Sequence, residues 1–129
     1  MKITTFDPVI VTNRPDEVLP VFEKFGFEKK HSPTVKGPSG YEATDNRMKT
    51  ENGMTMDVIA IDPNLPLEKE ILAIRMNVDD FEEAYQMLTD LGFKPSHEGA
   101  ITETDYAKGV GMLSPIGFNI YLIQHKKED

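Results

Sequence analysis

The sequence predicts an α+β domain of two tandem βαβββ modules, and three observations carry that prediction. One helix-like unit occurs twice at an offset of 66 residues, as "TNRPDEVLPVFEKFGFEKKHS" and as "VDDFEEAYQMLTDLGFKPSHE". Gly26-Phe27 matches Gly92-Phe93, Phe25 matches Leu91, Phe22 matches Leu88, Glu17 matches Glu83 and His31 matches His97. Each copy follows a short apolar run, "FDPVIVT" or "ILAIRMNV", and precedes strand-like segments divided by Gly and Asn turns. The chain has 129 residues, 39% of them apolar, which suits one core and one domain. Two copies of about 60 residues are too few and too long for a solenoid, so the repeat reads as a module duplicated inside that domain.

The first module covers about residues 1–62 and opens with a strand over 3–12. Val18, Val21, Phe22 and Phe25 then keep helical spacing, interrupted by Pro20. A proline inside a helix costs about 3 kcal/mol, so this helix is expected to start late or to kink. Strands follow over 27–32, 41–48 and 54–61, with "PTVKGPSG" at 33–40 read as a loop. "DPNLPLEKE" at 62–70 links the modules.

The second module covers about residues 70–125, and its first strand is 70–78. Asp79 with Glu82 makes a variant capping box; Phe81, Ala84, Tyr85, Leu88 and Leu91 recur at helical spacing. Gly92 sits where a left-handed cap belongs. Strands over 93–97, 107–113 and 117–124 complete the unit, and the tail "QHKKED" reads as solvated.

Composition narrows the chemistry. Cysteine is absent, which removes disulfides, thiolate ligands and a cysteine nucleophile. The only histidines are His31, His97 and His125. A net charge of −8 argues against nucleic acid, whose phosphates such a surface repels. No apolar run approaches the roughly 20 residues of a membrane span. The start "MKITTFDPVIVTN" lacks the apolar stretch of a signal peptide, so a cytoplasmic protein is expected.

The duplicated β-α-β-β-β order, the helix ending in Gly-Phe and the closing turn and strand together resemble the vicinal oxygen chelate superfamily. This is the glyoxalase, bleomycin resistance protein and extradiol dioxygenase group. "VDDFEEAYQMLTDLGF" and "GVGMLSPIGFNIYLIQ" carry the likeness best, and it extends over nearly the whole chain. The resemblance implies a cupped mixed sheet, a homodimer and, in members with chemistry, a divalent metal held by four strand residues. Those four positions fall on Asp7, Ala73, Tyr121 and either Thr55 or Asp57. Alanine has no donor atom, and a tyrosine ligand must first lose a proton whose pKa is near 10. Asp7 and Asp57 then remain as the alternative metal ligands, two carboxylates without imidazole, a poor set for Zn, Ni or Fe. No cofactor is therefore expected, a divalent metal being the alternative.

Strand alternation assigns faces without the resemblance. With Ile74, Met76 and Val78 packed under the helix, Ala73, Arg75 and Asn77 share the opposite face, as do Asp7, Val9 and Val11 and again Asn119, Tyr121 and Ile123. Asp7, Val9, Arg75, Asn77, Asn119 and Tyr121 are the candidate ligand-binding residues, a mixture of apolar wall and a few polar groups that suits a small-molecule pocket. Each has a plainer alternative. Arg75 can bind a carboxylate or phosphate, or pair with an internal acid such as Asp7. Asn77 can read a ligand or hold backbone, and Tyr121 can stack on a planar ligand or sit half-buried with its hydroxyl in water. His31 and His97 read as surface or turn residues. Met48, Met54, Met56 and Met112 read as core filler.

Four functions are compatible with this pattern: a metal-free binder of a small, partly apolar ligand; a metal-dependent lyase, isomerase or dioxygenase; an enzyme using Tyr121 or Asp7 as acid and base; and a regulatory dimer without a ligand. The missing second-module ligands favour the first. A small molecule and a second copy of the chain are its expected partners, with neither nucleic acid nor membrane among them.

Overall fold

The computed structural model describes residues 1–36, 42–64, 67, 69–96 and 101–126. Its elements run β1 (Ile3–Thr12), α1 (Pro15–Glu23), β2 (Glu28–His31), β3 (Thr34–Lys36), β4 (Glu42–Lys49), β5 (Thr55–Ile61), β6 (Ile71–Val78), α2 (Phe81–Asp90), β7 (Lys94–Pro95), β8 (Thr102–Glu103), β9 (Ala107–Leu113) and β10 (Asn119–His125). The predicted βαβββ order is present twice. Each module gains one short strand, β3 or β8, that pairs with β4 or β9. The chain forms two compact units, one of residues 7–72 and one of 1–6 with 73–129.

In the 7–72 unit the strand order is β2-β4-β5-β1, with β1 and β5 parallel and β4 antiparallel to β5. Leu19, Met48, Met56 and Val58 form its buried core, flanked by Ile10, Val18, Phe22 and Phe27. α1 does not start late. It begins at Pro15, where a missing N–H costs nothing, and carries Pro20 inside. In so short a helix Pro20 removes a single hydrogen bond, and Lys24 N–H still closes the last turn on Pro20 O at 3.1 Å. Gly26 then takes a positive φ of 96°, so that Phe27 N–H can reach back to Phe22 O. The segment 33–40, read as a loop, contains β3: Thr34 pairs with Thr44, and their hydroxyls lie 2.9 Å apart. Its three residues are too few for alternation to reveal.

In the other unit the order is β6-β10-β9-β7, with β6 and β10 parallel and β10 and β9 antiparallel. Val78, Phe81, Ala84, Leu88, Phe93, Val110, Met112 and Leu122 form its core, with Met76, Tyr85 and Ile120 against it. The cap of α2 lies one residue later than the sequence suggests. Asp80 accepts from Glu83 N–H at 3.1 Å, whereas Asp79 accepts from Lys2 N–H at 2.6 Å. Gln124 fixes the same corner, accepting from Phe81 N–H at 2.7 Å and donating to Asp79 O at 2.9 Å. Gln124 and His125 thus belong to β10 rather than to a solvated tail, of which residues 127–129 lie outside the described ones. Among the described residues no helix is long and apolar enough to cross a membrane.

Both cores lie on the helix side of their strands. Because side chains alternate, the residues assigned to the opposite faces are all turned away from the helices. Met48, Met56 and Met112 are core residues as expected, and Met54 is exposed.

Candidate functional site

On the 7–72 unit, the face away from α1 carries a charged row. Val9 on β1 pairs with Asp57 on β5, which pairs with Arg47 on β4. Arg47 Nη1 donates to Asp57 Oδ1 at 3.0 Å, and its Nη2 donates to Asp7 Oδ2 at 3.2 Å. Thr55 Oγ1 donates to the same Asp7 oxygen at 2.9 Å. Both acids are buried, with side chains 2% (Asp7) and 0% (Asp57) exposed, while Arg47 is 29% exposed. Asp7 Oδ1 is buried and has no hydrogen-bond partner among the described residues. Asp7 and Val9, both predicted site residues, are therefore buried side by side with an arginine that sequence reasoning did not single out.

On the other unit, β6, β10 and β9 form the matching face. Arg75 pairs in register with Tyr121, and Tyr121 with Gly111; Ala73 pairs with Asn119, and Asn77 with Ile123. Arg75 Nε donates to Asn77 Oδ1 at 3.1 Å, and both residues are buried. Four of the predicted ligand contacts, Arg75, Asn77, Asn119 and Tyr121, thus share one sheet face. Gly111 makes room for the tyrosine. A Cβ there would stand 2.6 Å from Tyr121 Cε1 and 2.6 Å from Ser96 Oγ. That serine oxygen is itself buried without a hydrogen-bond partner among the described residues.

The two registers settle which residue of β5 corresponds to Tyr121. Val9 and Arg75 are matching repeat positions, and their neighbours are Asp57 and Tyr121. The fourth position is therefore Asp57, not Thr55. Arg47 corresponds in the same way to Gly111.

These residues do not fit a bound metal. Ala73 offers no donor, and the two carboxylates already share one guanidinium. Burial pushes the Tyr121 phenol above its ordinary pKa, which raises the cost of its becoming a phenolate ligand. Among the described residues no group of three or more His, Cys, Asp and Glu is placed to hold a metal ion. His31 is exposed at the end of β2, His125 ends β10, and His97 lies outside the described residues.

The tyrosine shift has a measurable consequence. The folded state holds the Tyr121 proton to higher pH than the unfolded chain, whose phenol titrates near 10.0. Its contribution to stability is complete below that value and is lost as the pH rises through the folded pKa. Between pH 9 and 11.5 the urea midpoint of the wild type should fall more steeply than that of Tyr121→Phe. The other tyrosines act in both proteins, so equal slopes would refute the buried phenol.

No protein-family model matches the chain, and no curated protein matches it in sequence. Solved structures do. A glyoxalase/bleomycin resistance protein/dioxygenase superfamily member from Vibrio splendidus 12B01 matches with a TM-score of 0.57 and 17% identity, over 95% of this chain and 99% of that one. Methylmalonyl-CoA epimerase from Mycobacterium tuberculosis matches with a TM-score of 0.65 and 12% identity, over 97% and 90%. A Streptomyces coelicolor methylmalonyl-CoA epimerase in complex with 2-nitronate-propionyl-CoA gives 0.63 and 14%, over 98% and 100%. At these identities the likeness establishes the fold.

Proposed function

We propose that this chain, which has the vicinal oxygen chelate fold of the glyoxalase/bleomycin resistance/dioxygenase superfamily, binds a small, partly apolar molecule without using a metal. The observation that carries this reading is the replacement of a ligand set by a binding wall. Where the resemblance places donors on the second module, the chain has Ala73 and a protonated Tyr121, beside Arg75 and Asn77 and over the space left by Gly111. An aromatic ring, a few fixed polar groups and apolar neighbours are what a small-molecule site needs. Asn119 and Tyr121 supply hydrogen-bonding groups at the wall, and Arg75 supplies charge. On the 7–72 unit the corresponding wall residues are Asp7 and Val9. A cytoplasmic homodimer is part of the same proposal.

The test has two arms. Untagged protein incubated with Ni, Zn, Mn and Fe(II), then desalted, should retain less than about a tenth of an equivalent of each by plasma mass spectrometry, because no preformed set of deprotonated ligands awaits them. A thermal-shift screen of small aromatic and acyl compounds, carboxylates and thioesters included, should give stabilising compounds whose effect shrinks in Tyr121→Phe and Asn119→Ala. Near-stoichiometric retention of one metal would favour the metal-dependent lyase, isomerase or dioxygenase instead. A metal-free protein whose hits are indifferent to both substitutions would move the ligand off this face.

A further inference from the structure

Ser96 carries a hydroxyl that the fold does not use. Pro95 pairs with Met112, and Ser96 N–H donates to Gly111 O at 2.8 Å, so Ser96 stands beside Gly111 at the end of β7. One row therefore crosses this sheet face from Ser96 through Gly111 and Tyr121 to Arg75. Ser96 Oγ is buried and has no hydrogen-bond partner among the described residues. A buried polar atom left unbonded destabilises the folded state, so alanine would serve the fold better at this position. Side chains that cost stability where they stand are characteristic of binding sites.

The surroundings of the hydroxyl decide what it can bond. The point where a Cβ of Gly111 would stand is 2.6 Å from Ser96 Oγ and 2.6 Å from Tyr121 Cε1, so hydroxyl and ring edge flank one gap. Asn119 follows in the next row, opposite Leu113. Serine hydroxyl, phenol and side-chain amide each donate and accept, and none carries a charge. The cations of this face are engaged or in water. Arg75 Nε donates to Asn77 Oδ1 at 3.1 Å, and Lys94, also opposite Leu113, is exposed. An anion brought against Ser96 would lose its water without gaining a buried counter-ion, whereas a neutral amide has no charge to desolvate. An amide also donates and accepts through one flat group, which matches the three side chains.

We propose that Ser96 Oγ is a ligand-binding group of this wall, and that with Tyr121 and Asn119 it selects an uncharged, planar ligand carrying an amide. Resting on the small-molecule reading above, this assignment deepens it by naming the ligand class and a further residue that reads it. Oγ is closed to water with the ring edge beside it, so the amide reaches it as the ring turns to another rotamer.

Benzamide and benzoate are the probes, alike in shape and different in charge. Each is titrated by nuclear magnetic resonance into the wild type, Ser96→Ala and Tyr121→Phe, and the free proteins are melted by circular dichroism. Benzamide should bind the wild type at least about tenfold more tightly than benzoate. Ser96→Ala should weaken benzamide by about three- to tenfold, the worth of one hydrogen bond, yet melt no lower than the wild type without ligand. Tyr121→Phe should weaken benzamide as well. If free Ser96→Ala melts more than about 3 °C below the wild type, or does not fold, the hydroxyl is structural and the proposal is overturned. It is overturned equally if benzamide does not bind, if it binds Ser96→Ala unchanged, or if benzoate binds as tightly. The small-molecule reading survives any of these results while other compounds from the thermal-shift screen still act through Tyr121 and Asn119. Hits indifferent to those two residues refute that reading instead.

Discussion

Truncating Phe81 to alanine is expected to lower the stability of the protein by about 3–5 kcal/mol, the usual cost of deleting a fully buried phenyl ring. Phe81 is 2% exposed and stands in the core with Val78, Ala84, Leu88, Val110 and Leu122. Its ring stacks on Tyr85 with centroids 5.9 Å apart, and Lys108 Nζ lies 4.8 Å from its centroid. As the first residue of α2 it also fixes where the helix begins, its N–H held by Gln124. An exposed phenylalanine makes a control available. Phe25 is 80% exposed at the end of the first module's helix, and its truncation should change stability by less than about 0.5 kcal/mol. Urea unfolding should show the Phe81→Ala midpoint falling at nearly constant slope. A loss near that of Phe25→Ala would mean that α2 is not seated on β10 and β9 as described, and the opposite face of those strands would lose its support.

That opposite face explains why much of the fold was legible and part of the site was not. Helical spacing, Gly-Phe caps and strand alternation are local, and they placed both helices and all eight strands of the two βαβββ modules within a few residues. The same alternation put Arg75, Asn77, Asn119 and Tyr121 on one face. Asp80 in place of Asp79 as the cap turns on Lys2 and Gln124, which are far away in sequence. Arg47 was missed because "EATDNRMK" is mostly polar, and its partners lie on two other strands. A signal did exist. Folding strands 41–48 and 54–61 about a three-residue hairpin loop that ends in Gly53 puts residue 47 opposite residue 57, which is the observed pair. Gly111 and Ser96 left no such trace, since an empty space and an unpartnered hydroxyl acquire meaning only once Tyr121 is beside them.

Gly111→Ala tests that arrangement directly. Glycine to alanine at a position with ordinary backbone angles should stabilise a protein by about 0.4–1 kcal/mol, because the unfolded chain loses freedom. Gly111 should do the reverse. Its new methyl group would stand 2.6 Å from Tyr121 Cε1, 3.0 Å from Cδ1 and 2.6 Å from Ser96 Oγ, and a packed ring moves aside only with its strand or its rotamer. Overpacking of this kind costs about 1–3 kcal/mol, enough to outweigh the unfolded-state gain. Gly109→Ala is the matched control on the same face of β9. Its methyl group meets Leu122 O at 3.4 Å and Ile123 Cγ1 at 3.5 Å, so it should be close to neutral. Adding Tyr121→Ala to Gly111→Ala removes the ring that the methyl group strikes, and the double variant should lose less stability than the two single variants summed. Strict additivity would show that Tyr121 does not rest on Gly111. Coupling would tie the position of the tyrosine to the absence of a side chain across the strand, and with it any ligand preference that the ring confers.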